Sequence, residues 1–153
     1  MQRICSPQII VATNSLILTL WCLSELFFII VLVKAMSSLK EKFDDLSQKV
    51  LSGQILEAFE EYYADDIVMQ EDSEEPRRGK QANREYEEQF VSSVEAFHDG
   101  KVTAVAVNED DGVVLSEWFM DVTLKDTGRI EIEQVSVQRW EDGKITHERF
   151  YHA

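Results

Sequence analysis

From Ser38 the apolar positions fall at helical spacing. Leu39, Phe43, Leu46 and Val50 recur every three or four residues, with Lys40, Glu41, Asp44, Asp45 and Lys49 on the opposite side. Ser37 or Ser38 can cap this helix, and Glu41 stands three residues after Ser38, the spacing of a capping box. Ser52-Gly53 breaks the pattern. A second amphipathic piece carries Ile55, Leu56, Phe59, Tyr62 and Tyr63 against Glu57, Glu60 and Glu61, and ends near Asp65-Asp66. Ile67–Gln70 predicts a short strand and Asp72–Arg78 a loop. A third helix is expected over Lys80–Phe97, with Ala82, Tyr86, Phe90, Val94 and Phe97 as its apolar side and Asp99-Gly100 as its stop. Beyond it the period changes to two. Strands are predicted over Lys101–Val107, Glu117–Leu124, Ile130–Trp140 and Ile145–Tyr151, joined by glycine-bearing turns at Asp110–Gly112, Asp126–Gly128 and Asp142-Gly143. Helices first and hairpin-linked strands after predict an α+β domain with an antiparallel sheet.

Turn chemistry extends this to a prediction of faces. Asp126-Thr127-Gly128 suits a three-residue loop with Gly128 left-handed, pairing Leu124 with Ile130 and Val122 with Ile132. Val114, Ser116, Trp118, Met120, Val122, Ile130, Ile132, Gln134, Ser136, Gln138 and Trp140 then share one face. Phe119, Asp121, Val135 and Val137 lie on the other. Asp142-Gly143 is a strong type I′ signal. A two-residue turn there adds His147, Arg149 and Tyr151 to the Gln134/Gln138 face, whereas a three-residue loop adds Glu148, Phe150 and His152 instead. Three helices must cover a face that is apolar at one end and amide-rich at the other. Its polar groups either satisfy one another or form the polar patch of a cavity for a small apolar ligand. The pocket set on the two-residue reading is Trp118, Met120, Gln134, Ser136, Gln138, Arg149 and Tyr151. The opposite face, with Phe119, Val135 and Val137 ringed by charge, is either a homodimer surface or a solvated sheet face.

Residues 1–35 are of another kind. Ile9–Val33 is a run of 25 residues with Glu25 as its sole charge, longer than the roughly 20 that span a bilayer core. It reads as a transmembrane anchor or as upstream sequence before a start at Met36. A secretory signal, with an apolar core of roughly 7–15 residues, fits it less well. As an anchor, the lysines that follow the run would leave the domain at 36–153 in the cytoplasm; without it the chain is cytoplasmic, and a membrane is a partner only if residues 9–33 are retained. The net charge is −14, and since residues 1–35 sum to +1, the domain carries −15. Such a surface repels nucleic acid and anionic leaflets alike. The two cysteines, Cys5 and Cys22, fall outside the domain, so it has neither a disulfide nor a thiolate ligand. His98, His147 and His152 lack the spacing of a metal site. No phosphate loop, dinucleotide glycines or nucleophile elbow is present, and no cofactor is expected.

The succession Tyr62-Tyr63-Ala64-Asp65-Asp66-Ile67-Val68-Met69, then Arg78-Gly79-Lys80 opening a helix, then Trp140-Glu141-Asp142-Gly143-Lys144-Ile145 near the end resembles the SnoaL-like branch of the nuclear-transport-factor-2-like superfamily over residues 38–153. The resemblance implies a curved sheet wrapped on the leading helices into a cone, an internal pocket and a homodimer. It also implies proton transfer next to a carbonyl by a pocket carboxylate or histidine, with a Tyr or acid donor at the oxyanion, as in cofactor-free isomerases, cyclases and dehydratases. The residues able to supply this chemistry are Asp66, His147 and Tyr63, with Glu148 and His98 as alternatives and Tyr151 as a second donor. Each also has a structural use: Asp66 as a solvated helix end, His98 as a cap, Tyr63 as core. Ligand binding without turnover fits the same face.

Overall fold

The computed structural model describes residues 37–153; the anchor-or-start alternative for residues 1–35 lies outside them. Its elements are α1 (Leu39–Leu51), α2 (Ile55–Tyr62), β1 (Tyr63–Glu71), β2 (Arg77–Arg78), α3 (Lys80–Ser93), β3 (Val94–Asn108), β4 (Val113–Leu124), β5 (Gly128–Glu141) and β6 (Lys144–His152). The six strands form one sheet in the order β2-β1-β6-β5-β4-β3. Every pairing is antiparallel except β1 with β6. Bulges in β1, β3 and β6 bend it, since each extra residue increases the local twist. Among the described residues no helix is long and apolar enough to cross a membrane.

α1 forms as expected. Ser38 Oγ accepts from Glu41 N–H at 3.1 Å, and Glu41 Oε2 accepts from Ser38 N–H at 2.8 Å. Glu109, beyond β3, accepts from the next two amides, Leu39 and Lys40, so the orphan donors of the first turn are satisfied. Leu39, Phe43 and Leu46 then point onto the sheet. They build the core with Phe59 and Tyr62 of α2, Ile67 and Met69 of β1, and Val114, Trp118, Trp140 and Ile145.

α3 ends at Ser93, four residues before the expected Phe97. The outer edge of β4 needs a partner along its whole length, and Val94 already pairs with Leu124. Val91 and Val94 are weak helix formers that suit a strand. Phe97 is accordingly 49% exposed. The expected apolar side of α3 does not enter the core; its one fully buried residue is Asn83, whose Nδ2 donates to the carbonyls of Ile67, Arg77 and Gly79. β1 is also longer than predicted, starting at Tyr63 directly from α2.

The hairpins differ from expectation in two instructive ways. In the first, Leu124 pairs with Gly128 and Val122 with Ile130, two residues off the predicted pairing. Lys125 N–H donates to Ser93 O at 2.9 Å and so leaves the ladder. An offset of two preserves the faces, and Val114, Ser116, Trp118, Val122, Ser136, Gln138 and Trp140 are all buried together. In the second, Asp142 (φ 50°) and Gly143 (φ 77°) form the two-residue turn, and Trp140 pairs with Ile145 as predicted. The next pair is Arg139 with His147: Thr146 is an extra residue in β6. Beyond it every side chain is reversed. His147, Arg149 and Tyr151 do not join Gln134, Ser136 and Gln138; Glu148, Phe150 and His152 do. Ile145 and Glu148, both buried and an odd number of residues apart, can share a face only because of this bulge.

Candidate active site

Between the sheet and the three helices lies a cavity of about 360 Å³. Leu46 and Val50 of α1, Ile55 and Phe59 of α2, Phe90 of α3, and Trp118, Met120, Ile132 and Phe150 of the sheet supply apolar wall. This accounts for α3: Glu87 and Phe90 line the cavity, as does Tyr86, whose ring carries the Arg77 guanidinium 3.5 Å from its centroid. Exposed Asp72, Glu74, Tyr86 and His152 stand at its open side.

At the inner end is Glu148, 3% exposed. Its Oε1 accepts from Ser136 Oγ at 2.6 Å and Gln138 Nε2 at 2.7 Å, and its Oε2 accepts from Tyr63 Oη at 2.5 Å. Gln138 is fixed in turn by Trp140 Nε1, which donates to its Oε1 at 3.0 Å. Tyr63 stacks on Phe59 with ring centroids 4.6 Å apart, so both sides of the Tyr–Glu bond are held by packed neighbours. Burial pushes the Glu148 carboxyl above the ordinary carboxylate range, against the pull of its three donors. Burial, with Glu148 beside it, also raises the Tyr63 hydroxyl. The arrangement is a carboxyl facing an apolar cavity with three of its roughly four lone-pair sites engaged, leaving one for a substrate proton.

The cavity holds a second acid. Glu87, half-buried on α3, has no hydrogen bond or ion pair, and burial together with the charges of Glu148 and Glu71 raises its pKa to about 7. The consequence for stability has a definite sign. Below the ordinary value of 4.5 the side chain is protonated in both folded and unfolded chains. As pH rises from there to about 7, the unfolded chain ionises first and stability falls. Glu87→Gln is therefore expected to stabilise the protein by about 1–3 kcal/mol at pH 8, from 1.36 kcal/mol per pKa unit reduced for partial exposure, and to leave it unchanged at pH 4. Urea denaturation at the two pH values measures this; an equal effect at both would show a solvated carboxyl.

The expected site residues separate into two groups. Tyr63, Trp118, Met120, Gln134, Gln138 and the alternative Glu148 line the cavity, with Ser136 behind Glu148. Asp66 is exposed and does not line it. His98 is exposed and hydrogen-bonds Thr123 Oγ1 at 2.7 Å. His147, Arg149 and Tyr151 face the sheet's other side, where they line a smaller cavity of about 240 Å³ with Val68, Gln70, Val137 and Arg139. Asp121, also facing away, is clamped by Arg129 through bonds of 2.9 and 2.6 Å, and those bonds hold its carboxyl below the ordinary range. Glu71 and Glu87 escape the sequence reading. Asn83, Glu87, Phe90 and Val94 recur at spacings of four and three, a second stripe on α3 that would have brought Glu87 in. Among the described residues no three His, Cys, Asp or Glu side chains cluster as a metal site.

Residues 35–152 match the family described as the SnoaL-like domain. A Mesorhizobium loti protein described as a SnoaL-like polyketide cyclase is 31% identical, over 75% of this chain and 99% of its own, with a TM-score of 0.66. Two further structures share the fold. The epoxide hydrolase/cyclase-like enzyme SalBIII of pyran ring formation in polyether salinomycin is 21% identical, covering 75% of this chain and 90% of its own, TM-score 0.63. An LEH-like epoxide hydrolase of M. tuberculosis is 18% identical, covering 74% and 80%, TM-score 0.60. No functionally curated protein matches the chain.

Proposed function

This chain belongs to the SnoaL-like family, and from that premise we propose that it is a cofactor-free acid–base enzyme acting on a small, largely apolar carbonyl compound. The observation that carries the reading is Glu148: a buried carboxyl, hydrogen-bonded to Tyr63, facing a cavity with apolar walls. Burying an ionisable group without a counter-charge is costly, and a purely structural core would place an apolar residue there. Glu148 takes a proton from the carbon next to the carbonyl. The C–H electron pair moves into the enolate and negative charge grows on the substrate oxygen. Once Glu148 is protonated it is a poorer acceptor, and the Tyr63 hydroxyl is released to donate to that oxygen. Return of the proton elsewhere completes an isomerisation. Ring closure or loss of a leaving group from the same enolate gives a cyclase or a lyase.

Deuterium uptake tests this. With the full-length chain in D2O, NMR is expected to show α-carbon exchange of cyclohexanone or acetophenone faster than in buffer alone. Ligand binding with exchange no faster than buffer would instead favour a binding module without turnover. The sheet's opposite face supports a homodimer: Phe119 and Val137 are half-buried, and Val135 and Leu115 are exposed apolar residues beside them. Sedimentation at twice the monomer mass is the expected result; a monomer at every concentration rejects it.

A further inference from the structure

The cavity's charge is as one-sided as its walls are apolar. Glu71, Asp72, Glu74, Glu87 and Glu148 line it, and no lysine or arginine does. Some of these acids have partners nearby: Arg77 Nη2 lies 3.1 Å from Glu71, and His152 Nδ1 lies 3.1 Å from Asp72. Glu148 has neutral donors. Glu87 has no hydrogen-bond donor and no ion pair; among the described residues Arg77 is the one cation whose charge reaches it, and burial with the charges of Glu148 and Glu71 outweighs that pull. An acid so weakly compensated in such a place is destabilising unless something positive meets it. Phe90, Trp118 and Phe150 line the same cavity and offer negative π-faces to the same kind of partner, while the Tyr86 face is already taken by the Arg77 guanidinium, 3.5 Å from the ring centroid.

We propose that the ligand of this cavity carries a positive charge: a small amine, protonated or quaternary at neutral pH, whose cationic head meets Glu87 and whose apolar body extends toward Trp118. The inference rests on the reading that this cavity is the functional site, and adds the class of molecule it selects. It also gives the cation a use, since a positive charge near the carbonyl makes the neighbouring C–H more acidic. The groups facing Glu87 are Glu148 and Tyr63 from the inner end, Glu71 from β1 and Arg77 from β2; Asp72, Glu74 and His152 stand at the rim. With Glu87 titrating near pH 7 in the free protein, an arriving cation expels its proton.

Three molecules built on one ring test the charge alone: cyclohexylmethylamine, a cation at neutral pH, cyclohexylmethanol, its neutral analogue, and cyclohexanecarboxylate. Titration calorimetry of the full-length chain at pH 7 is expected to rank them in that order, with the cation about tenfold tighter than the alcohol, equivalent to 1.4 kcal/mol. Cation binding should release roughly half a proton, seen as a heat that changes between buffers of different ionisation enthalpy. Glu87→Gln should bring cation and alcohol within about twofold and abolish the release. Equal or tighter binding of the alcohol, or a cation preference untouched by Glu87→Gln, overturns the proposal while the carbonyl-binding reading stands. Binding of none of the three overturns both.

Discussion

Trp118→Ala is expected to lose about 3–5 kcal/mol of stability, the range for truncating a buried aromatic. The indole is 5% exposed, meets Phe43 edge-on with centroids 6.2 Å apart, and donates from Nε1 to Ser116 Oγ at 2.8 Å. Removing it abolishes the contact that seats α1 on β4 and leaves Ser116, itself 2% exposed, without that partner. Trp118 also forms cavity wall, so the space it vacates opens into an existing hollow that water can reach. That partial hydration keeps the cost from exceeding the upper end. Urea denaturation of the full-length chain gives the value directly. A loss below about 1 kcal/mol, typical of a surface change, would mean that the indole is solvated.

Glu148→Gln separates chemistry from structure. The new amide oxygen can take over the bonds from Ser136 and Gln138, and the new amide nitrogen can donate to Tyr63 Oη, so only the Tyr63 hydroxyl hydrogen loses its acceptor and must turn toward the cavity. Stability should hold, and above the ordinary carboxylate range it should rise, because burial opposes ionisation of the native side chain. What the amide cannot do is take a proton. The rate of deuterium exchange is expected to fall by about 10²–10⁴, the usual contribution of a positioned acid–base group, with ligand affinity little changed. If the rate stays within about threefold of the parent, Glu148 is not the proton carrier, whatever else it does.

The legible part of this molecule is what strict periodicity governs. The shared burial of Val114, Ser116, Trp118, Val122, Ser136, Gln138 and Trp140 follows from period two, and an error of two residues in the Val122 pairing left it unharmed. Capping of α1 by Ser38 and Glu41 was legible because both partners lie within one turn. The misses are places where the backbone chose between alternatives of similar local merit. Val94–Phe97 fits a helix stripe as well as a strand, and β4's need for a partner decided it. Glu87 looks like a solvated helix residue until the helix is known to face a hollow. Tyr63 and the alternative Glu148 were within reach of sequence reasoning. Their bond was not, because it depends on one unpaired residue, Thr146, in a strand that otherwise alternates.

That residue has a larger consequence. β6 carries two interleaved messages: Glu148, Phe150 and His152 on one side, His147, Arg149 and Tyr151 on the other. The first lends the interior an acid, a ring and an imidazole; the second would lend it an imidazole, a permanent cation and a phenol. Thr146 selects which is spoken inward. A descendant of this chain that paired Thr146 with Arg139 in place of the bulge would keep every residue of its last strand and still present the opposite electrostatic sign to whatever enters, whereas one that lost Thr146 would keep Glu148 inward. In this architecture, a single β-bulge is itself a heritable specificity element.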